Sequence, residues 1–190
     1  ESNGHRWGKQ IFFMGIAILG IGLFWMQKDH YKAYQQWNKA QMFYNNKAYE
    51  AALEVYEPLY PLLKHKPECI CEAAQSLSKT GQYEKANEYL ERAVLLSSDP
   101  MLYYVMAKNE QCLGEYRQAE KHLLHAIDIL PERIYPYYLL MNLYTEPSYF
   151  QPAKLKMAID SVLTKKPKVE SSAIKEMKEK ARSMLNNTSI

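Results

Sequence analysis

The sequence predicts an all-α protein, in which one transmembrane helix is followed by a right-handed α-solenoid of about four helical hairpins and a C-terminal capping helix. Residues 11–26 carry no charged, amide or hydroxyl side chain, as is typical of a membrane-spanning segment. Aromatic residues then recur at separations of 34, 33 and 34 residues, which indicates a repeat array. Gly and Pro, which interrupt helices, number only 7 and 9 among 190 residues.

The transmembrane helix is predicted at residues 11–27, after an N-terminal flank at 1–10. Lys9 and Lys28 leave 18 residues between them, and as a helix these span about 27 Å, close to the roughly 30 Å hydrocarbon core. A buried core helix and a cleaved signal peptide are the alternatives. The signal peptide is disfavoured because the segment ends in Phe24, Trp25 and Met26, whereas small residues precede a cleavage site.

The way in which the apolar segment joins the array can also be predicted. There is neither Gly nor Pro between Leu23 and Glu57, so we expect the membrane helix to run directly into the first repeat helix. The orientation stays open. Basic residues flank the segment on both sides, so the positive-inside rule does not choose between the two topologies.

The repeat array is predicted at 28–167, with units at about 33–66, 67–99, 100–132 and 133–167. Each unit has an aromatic anchor, an alanine three residues later and a large apolar side chain seven residues later. Small residues at a helix crossing let two backbones approach closely. The anchors are Tyr49, Tyr83, Tyr116 and Phe150, the alanines are Ala52, Ala86, Ala119 and Ala153, and the large residues are Tyr56, Leu90, Leu123 and Met157.

The turn sequence G-x-Y-x-x-A occurs at residues 81–86 and again at 114–119. Together with the period of 34 residues, it resembles the tetratricopeptide repeat (TPR). The resemblance implies a pair of antiparallel helices in each unit. It also implies an interaction surface on the concave side of the stack, which the first helix of each unit lines.

Two units depart from the repeat pattern. In the first, Pro58 and Pro61 fall inside the second helix, so we expect that helix to kink or to end near Glu57. In the fourth, residues 145–149 replace the glycine turn, and Pro152 suits the first turn of the next helix.

A capping helix is predicted at 168–187, followed by a frayed tail at 188–190. Ser171 or Ser172 is expected to cap its N-terminus. Its predicted apolar face consists of Ile174, Met177, Ala181, Met184 and Leu185.

No catalytic, cofactor-binding or metal-binding site is predicted, since the chain has no nucleophile elbow, zinc motif, phosphate-binding loop or dinucleotide motif. His122 and His125 are expected to be solvated helix residues, and the cysteines at 69, 71 and 112 to be packing residues. Whether the chain is part of an enzyme stays open. The net charge of +3 is small for a nucleic-acid binder, so no nucleic acid is expected as a partner.

The predicted binding surface is the concave groove, which combines aromatic rings with amides and a few lysines. Such a surface suits an extended protein or peptide partner, and it also suits a glycan, whose ring faces stack on aromatic side chains. Tyrosines are also common at packing positions in these repeats, so packing alone is the alternative. The groove residues are Tyr34, Trp37, Gln41, Tyr44, Gln75, Tyr104, Lys108, Gln111, Tyr135, Tyr138 and Asn142.

The order of a membrane helix, residues 36–68, a second repeat at 71–101 and a third at 114–140 resembles the C-terminal region of Bacteroidetes-type O-antigen ligase or polymerase family proteins. The resemblance implies a bacterial inner-membrane location, with the repeats in the periplasm and the catalytic residues outside this sequence. Recruitment of partner proteins or handling of the growing glycan would then be the role of the repeats. Two alternatives stay open, namely a stand-alone membrane-tethered adaptor and a scaffold facing the cytoplasm, which the unpaired cysteines favour.

Overall fold

The computed structural model describes residues 3–167 and 169–187. The predicted tail at 188–190 and the first two residues of the predicted flank lie outside them. Within the described residues the secondary structure is helical, and the chain divides into two compact units, Glu1–Leu63 and Lys64–Ile190.

The first unit is a hairpin of α1 (Asn3–Asn45) and α2 (Tyr49–Leu63), which pack against each other. Helix α1 continues without a break from the apolar segment into the repeat, as the absence of Gly and Pro predicts. Ala33 and Ala40 are buried in the hairpin, whereas the large apolar side chains between Phe12 and Trp25 are exposed. Among the described residues, α1 is the helix whose length and composition suffice to cross a membrane.

Of the two outcomes expected near Glu57, a kink or an end of the second helix, the end does not occur, because α2 continues through Pro58 and Pro61 to Leu63. A proline inside a helix has no amide hydrogen to donate to the carbonyl four residues earlier. Both prolines are exposed, so these missing backbone bonds lie on the solvent side of α2, where water can reach the backbone. The opposite face of α2 stays anchored, since its apolar side chains Ala52, Leu53, Tyr56, Leu59 and Leu63 are buried.

The second unit contains three hairpins and a terminal helix. Helices α3, α5 and α7 form one layer, and each packs against the helix that follows it in the chain. The hairpins are α3 (Pro67–Lys79) with α4 (Tyr83–Ala93), α5 (Pro100–Cys112) with α6 (Tyr116–Ile129), and α7 (Tyr135–Leu143) with α8 (Pro152–Thr164).

Left-handed backbone conformations make the predicted turns. Gly81 has φ 81° and Gly114 has φ 77°, a region that glycine enters without steric cost. In the first unit Lys47, which like these glycines stands two residues before the aromatic anchor, adopts the same region with φ 61°. The tight turn is therefore retained there at the cost of a strained lysine backbone.

The repeat register predicted for the fourth unit was wrong. The anchor Phe150 is 53% exposed, Met157 is 69% exposed, and Ala153 is also exposed. Helix α8 begins at Pro152, and its buried side chains stand three, seven and ten residues later, at Leu155, Ile159 and Val162. In the third unit the buried residues lie three, seven and ten residues after the anchor Tyr116. In the fourth unit the same spacing counts from Pro152 instead of Phe150, so this unit has two extra residues, which the 3₁₀ turn Pro147–Tyr149 accommodates.

The last helix, α9 (Ser172–Asn187), covers the end of the array, packing on α7 and α8. Ser171 is its cap, with Oγ accepting a hydrogen bond from the Ile174 amide. Ala181 is fully buried in the core cluster, against which Ile174, Met177 and Met184 pack. Leu185 was wrongly assigned to this face, since it is 38% exposed.

Candidate interaction surface

In the first unit, the predicted groove residues lie along α1. The rings of Tyr34 and Trp37 have centroids 6.0 Å apart, and Tyr44 meets Tyr49 of α2 edge to face at 5.9 Å. Tyr34 is 38% exposed, and Trp37, Gln41 and Tyr44 are partly buried. This part of the predicted surface is accessible, and its aromatic residues also support the hairpin.

In the second unit, the predicted groove residues lie in the layer of α3, α5 and α7. Lys108 is exposed, whereas the amides and two of the tyrosines are partly buried. The Lys180 ammonium of α9 lies 5.3 Å from the centre of the Tyr138 ring, a cation–π contact. The partly buried groove residues are Gln75, Gln111, Tyr135, Tyr138 and Asn142.

Tyr104 is a core residue rather than an open groove residue. Its side chain is 6% exposed and meets Tyr135 edge to face at 5.1 Å. Its hydroxyl is buried without a hydrogen-bond partner, and burial raises the pKa of the phenol. Because the ring fills the interior between α5 and α7, removing it would leave a cavity in the core.

Sequence reasoning missed a buried acid and its partner between α5 and α6. Glu110 is 5% exposed, and the Nδ1 atom of His122 lies 2.9 Å from both of its carboxylate oxygens. His122 is therefore not the solvated residue that we predicted. A partner on the preceding helix cannot be found by examining the face of one helix alone.

A second polar group missed by the sequence analysis joins three elements around Glu120 of α6. Its carboxylate accepts hydrogen bonds from Tyr144 at 2.6 Å, from Tyr149 at 2.7 Å and from the Lys154 ammonium at 2.7 Å. Burial alone would raise the pKa of Glu120, but these three donors hold it below its ordinary value. The altered turn of the fourth unit is therefore fixed by a carboxylate of the third.

Three cavities of the second unit lie away from the predicted groove residues. One of about 810 Å³ lies beside the turn that precedes α6 and the 3₁₀ turn, where Tyr116 stacks on Tyr149 at 5.7 Å. Two others, of about 610 and 420 Å³, flank α6 and share Tyr103 and His122. None of the three is lined by a predicted groove residue.

The cysteines do not form a reactive group. All three are free, and Cys69 is buried, Cys71 partly buried and Cys112 exposed, so the packing role predicted for Cys112 was wrong. Burial raises the pKa of Cys69 to about 12 and that of Cys71 to about 11, which keeps both as thiols at neutral pH. No group of three metal-ligating side chains occurs within the part of the chain that the structure describes.

Comparison with known proteins agrees with the repeat architecture. The family model of anaphase-promoting complex, cyclosome, subunit 3 matches residues 45–126. Tetratricopeptide repeat protein 21A of Mus musculus is 35% identical over 86 residues, which is 45% of this chain and 6% of that protein. The chain therefore corresponds to a small part of this curated relative.

Solved structures extend the similarity over most of the chain. MamA, from residue 41 to its end, of Desulfovibrio magneticus RS-1 has a TM-score of 0.63 at 18% identity, covering 84% of this chain and 98% of that one. A chain of the APC/C hetero-tetramer Cut9-Hcn1 has a TM-score of 0.64 at 12% identity, covering 78% and 29%. At such identities the likeness defines the fold alone, which is a TPR-like solenoid of helical hairpins.

Proposed function

We propose that this chain is a membrane-anchored TPR module that binds a protein or peptide partner. The anchoring is inferred from helix α1, because its apolar part is exposed while its C-terminal part is packed in the first hairpin. Exposed apolar side chains cover this part of the helix on all sides, and a water-soluble surface rarely carries so large an apolar patch. A bilayer would cover it.

The binding role rests on the fold and on the accessible part of the predicted groove. The concave surfaces of helical repeat arrays are extended and suit long ligands. In the first unit Trp37 and Gln41 lie on α1, and in the second unit Tyr138, Lys108 and the amides lie in the layer of α3, α5 and α7. Each unit thus combines aromatic rings with amides, which also suits a glycan. A protein or peptide is the favoured partner, and a glycan is the alternative outcome of the binding test below.

The finer proposal is that the repeats form the periplasmic part of an O-antigen ligase or polymerase family protein of a bacterial inner membrane. What supports it is the layout of the sequence, with a membrane helix leading directly into the repeats. The alternative is a stand-alone membrane-tethered adaptor without an enzymatic parent. Its repeats would lie either in the periplasm or in the cytoplasm. The coding sequence upstream of residue 1 separates the two, since a series of further apolar segments supports the ligase and a nearby initiating Met supports the adaptor.

Anchoring and sidedness can be tested together in bacterial cells. We expect the full chain to remain in the membrane pellet after alkaline carbonate extraction. Cys112 is exposed, so in intact cells a membrane-impermeant maleimide should label it if the repeats are periplasmic, and a Cys112→Ser variant should lose the label. Extraction by carbonate would contradict anchoring, and labelling only after permeabilisation would place the repeats in the cytoplasm.

Partner binding can be tested by photo-crosslinking in the same membranes. A photoreactive amino acid at Lys108, exposed on α5, should give a discrete crosslinked product. The same amino acid at Lys121, exposed on α6 of the other layer, is the matched control. A protease-sensitive product from position 108 alone supports a protein partner, and a protease-resistant ladder supports a glycan. Equal crosslinking from both positions would contradict a groove site.

A further inference from the structure

The part of α1 that follows the apolar segment has lysines on one exposed face. Lys28, Lys32 and Lys39 fall within an arc of about 40°, taking 100° per residue, and all three are exposed. We call these three residues the basic face of α1. Asp29 is the one acidic residue between positions 28 and 49, so the charge of this segment is positive.

The basic face points away from the packed side of the first hairpin. Ala33 is 2% exposed and Ala40 fully buried, and they lie about 120° and about 100° from the centre of the basic face. The groove residues of α1, centred near Trp37 and Gln41, lie roughly 180° from it. One side of α1 is therefore basic, and the opposite side carries the predicted binding surface.

The basic face begins where the apolar segment ends. Lys28 lies 4.8 Å from the centre of the Trp25 ring, and tryptophan side chains prefer the level of the lipid headgroups. Lys32 is about 6 Å further along the helix and Lys39 about 16 Å further. At physiological ionic strength, charges are screened beyond about 8 Å. Lys28 and Lys32 are thus within reach of a bilayer surface, whereas Lys39 reaches it only when the helix tilts.

We propose that the basic face of α1 lies against the anionic phospholipid headgroups of the anchoring bilayer. The helix then tilts towards this face, and the side that carries Tyr34, Trp37 and Gln41 faces the aqueous phase. This inference rests on the proposed membrane anchoring and adds the orientation of the first hairpin. Charge complementarity and continuity with the apolar segment favour lipid over a protein partner at this face.

The expected effect follows from the attraction of single lysines to an anionic surface. Each lysine raises the ratio of tilted to upright helix about five-fold, so Lys28 and Lys32 together raise this ratio roughly 25-fold. Lys39 adds less because of its distance. The tilt should therefore depend on anionic lipid and on salt, whereas insertion of the apolar segment should depend on neither.

The experiment uses the full chain in nanodiscs of phosphatidylcholine, with or without phosphatidylglycerol, and with nickel-chelating headgroups. The native cysteines are replaced by Cys69→Ala, Cys71→Ala and Cys112→Ser. A nitroxide is then attached at Gln35→Cys, about 40° from the centre of the basic face, or at Tyr34→Cys on the groove side. These positions differ by about 1.5 Å in height along the helix, so the comparison reports which side approaches the lipid.

We expect phosphatidylglycerol to raise the nickel-induced relaxation of the label at position 35 and to leave the label at 34 nearly unchanged. High salt, or Lys28→Gln with Lys32→Gln, should abolish the rise. The charge-matched control Lys64→Gln with Lys66→Gln should retain it.

A chain that inserts into both kinds of nanodisc but shows the same relaxation at 34 and 35 would overturn the orientation alone. A rise that survives the substitution of Lys28 and Lys32 would also overturn it. A chain that fails to insert into phosphatidylcholine nanodiscs would overturn the anchoring proposal as well, so the two failures are distinguishable.

Discussion

Replacing Glu120 by glutamine should loosen the fourth hairpin while leaving the rest of the second unit intact. Glu120 accepts hydrogen bonds from Tyr144 and Tyr149 and pairs with Lys154. Hydrogen bonds to a charged group contribute about 1.5–3 kcal/mol each, whereas Lys154 is 46% exposed, so its ion pair contributes at most about 1 kcal/mol. Glutamine keeps one acceptor and loses the charge, and we expect a net loss of about 2 kcal/mol.

Hydrogen exchange of the full chain in detergent measures this loss locally. A loss of about 2 kcal/mol corresponds to roughly 30-fold faster amide exchange through local opening. The increase should be confined to α7, the 3₁₀ turn and α8, with α3 and α4 as the internal reference. Glu91→Gln, at an exposed position of α4, is the matched control. Unchanged exchange in α7 and α8, or equal acceleration in α3 and α4, would refute the reasoning.

The same contact predicts a dependence on pH. The pKa of Glu120 is lowered in the folded chain, so its contribution to stability is fully present above about pH 4.3, the ordinary pKa of a glutamate. It is lost as the pH falls through the lowered value of the folded state. The difference in urea midpoint between the wild type and Glu120→Gln should therefore shrink below about pH 4, and a constant difference down to pH 2 would contradict this.

Three further outcomes follow from the backbone, the core and the thiols. Lys47→Gly should raise the urea midpoint by relieving its positive φ, whereas Gly114→Ala should lower stability by about 1–2 kcal/mol; the opposite signs would contradict the strain argument. Ile159→Ala should cost about 2–5 kcal/mol and Met157→Ala less than about 0.5 kcal/mol, a contrast that thermal unfolding checks. At neutral pH a maleimide should modify Cys112 in the folded chain and the other two cysteines only after unfolding, as mass spectrometry would show.

The helical hairpins could be predicted from the sequence because their spacing reflects packing. Ala86, Leu90 and Ala93 of α4 and the corresponding residues of α6 are all fully buried, and such close contacts restrict the side chains at each position. In the fourth unit the same reasoning failed, because Phe150 has the expected spacing and chemical type but lies in a lengthened turn. A spacing rule cannot detect two inserted residues when an aromatic residue happens to keep the period.

Other errors of prediction arose from contacts between helices that are distant in sequence. The partner of Glu110 is 12 residues away and the donors to Glu120 are 24, 29 and 34 residues away. Such pairs have no local signal, since charged residues on a helix are usually solvated. The burial of Tyr104 was missed for a related reason, because a ring at a groove position can turn towards the neighbouring helix instead of towards a ligand.

Helix α1 has a mechanical consequence for the first hairpin. Because the apolar segment and the first repeat helix are one continuous helix, α2 is packed directly onto the extension of the apolar segment. A rotation of that segment about its axis turns the first hairpin through the same angle, and a change of its tilt displaces the hairpin. In the proposed membrane-anchored arrangement, changes in bilayer thickness or lipid charge would thus be transmitted as rotation and tilt of the first hairpin.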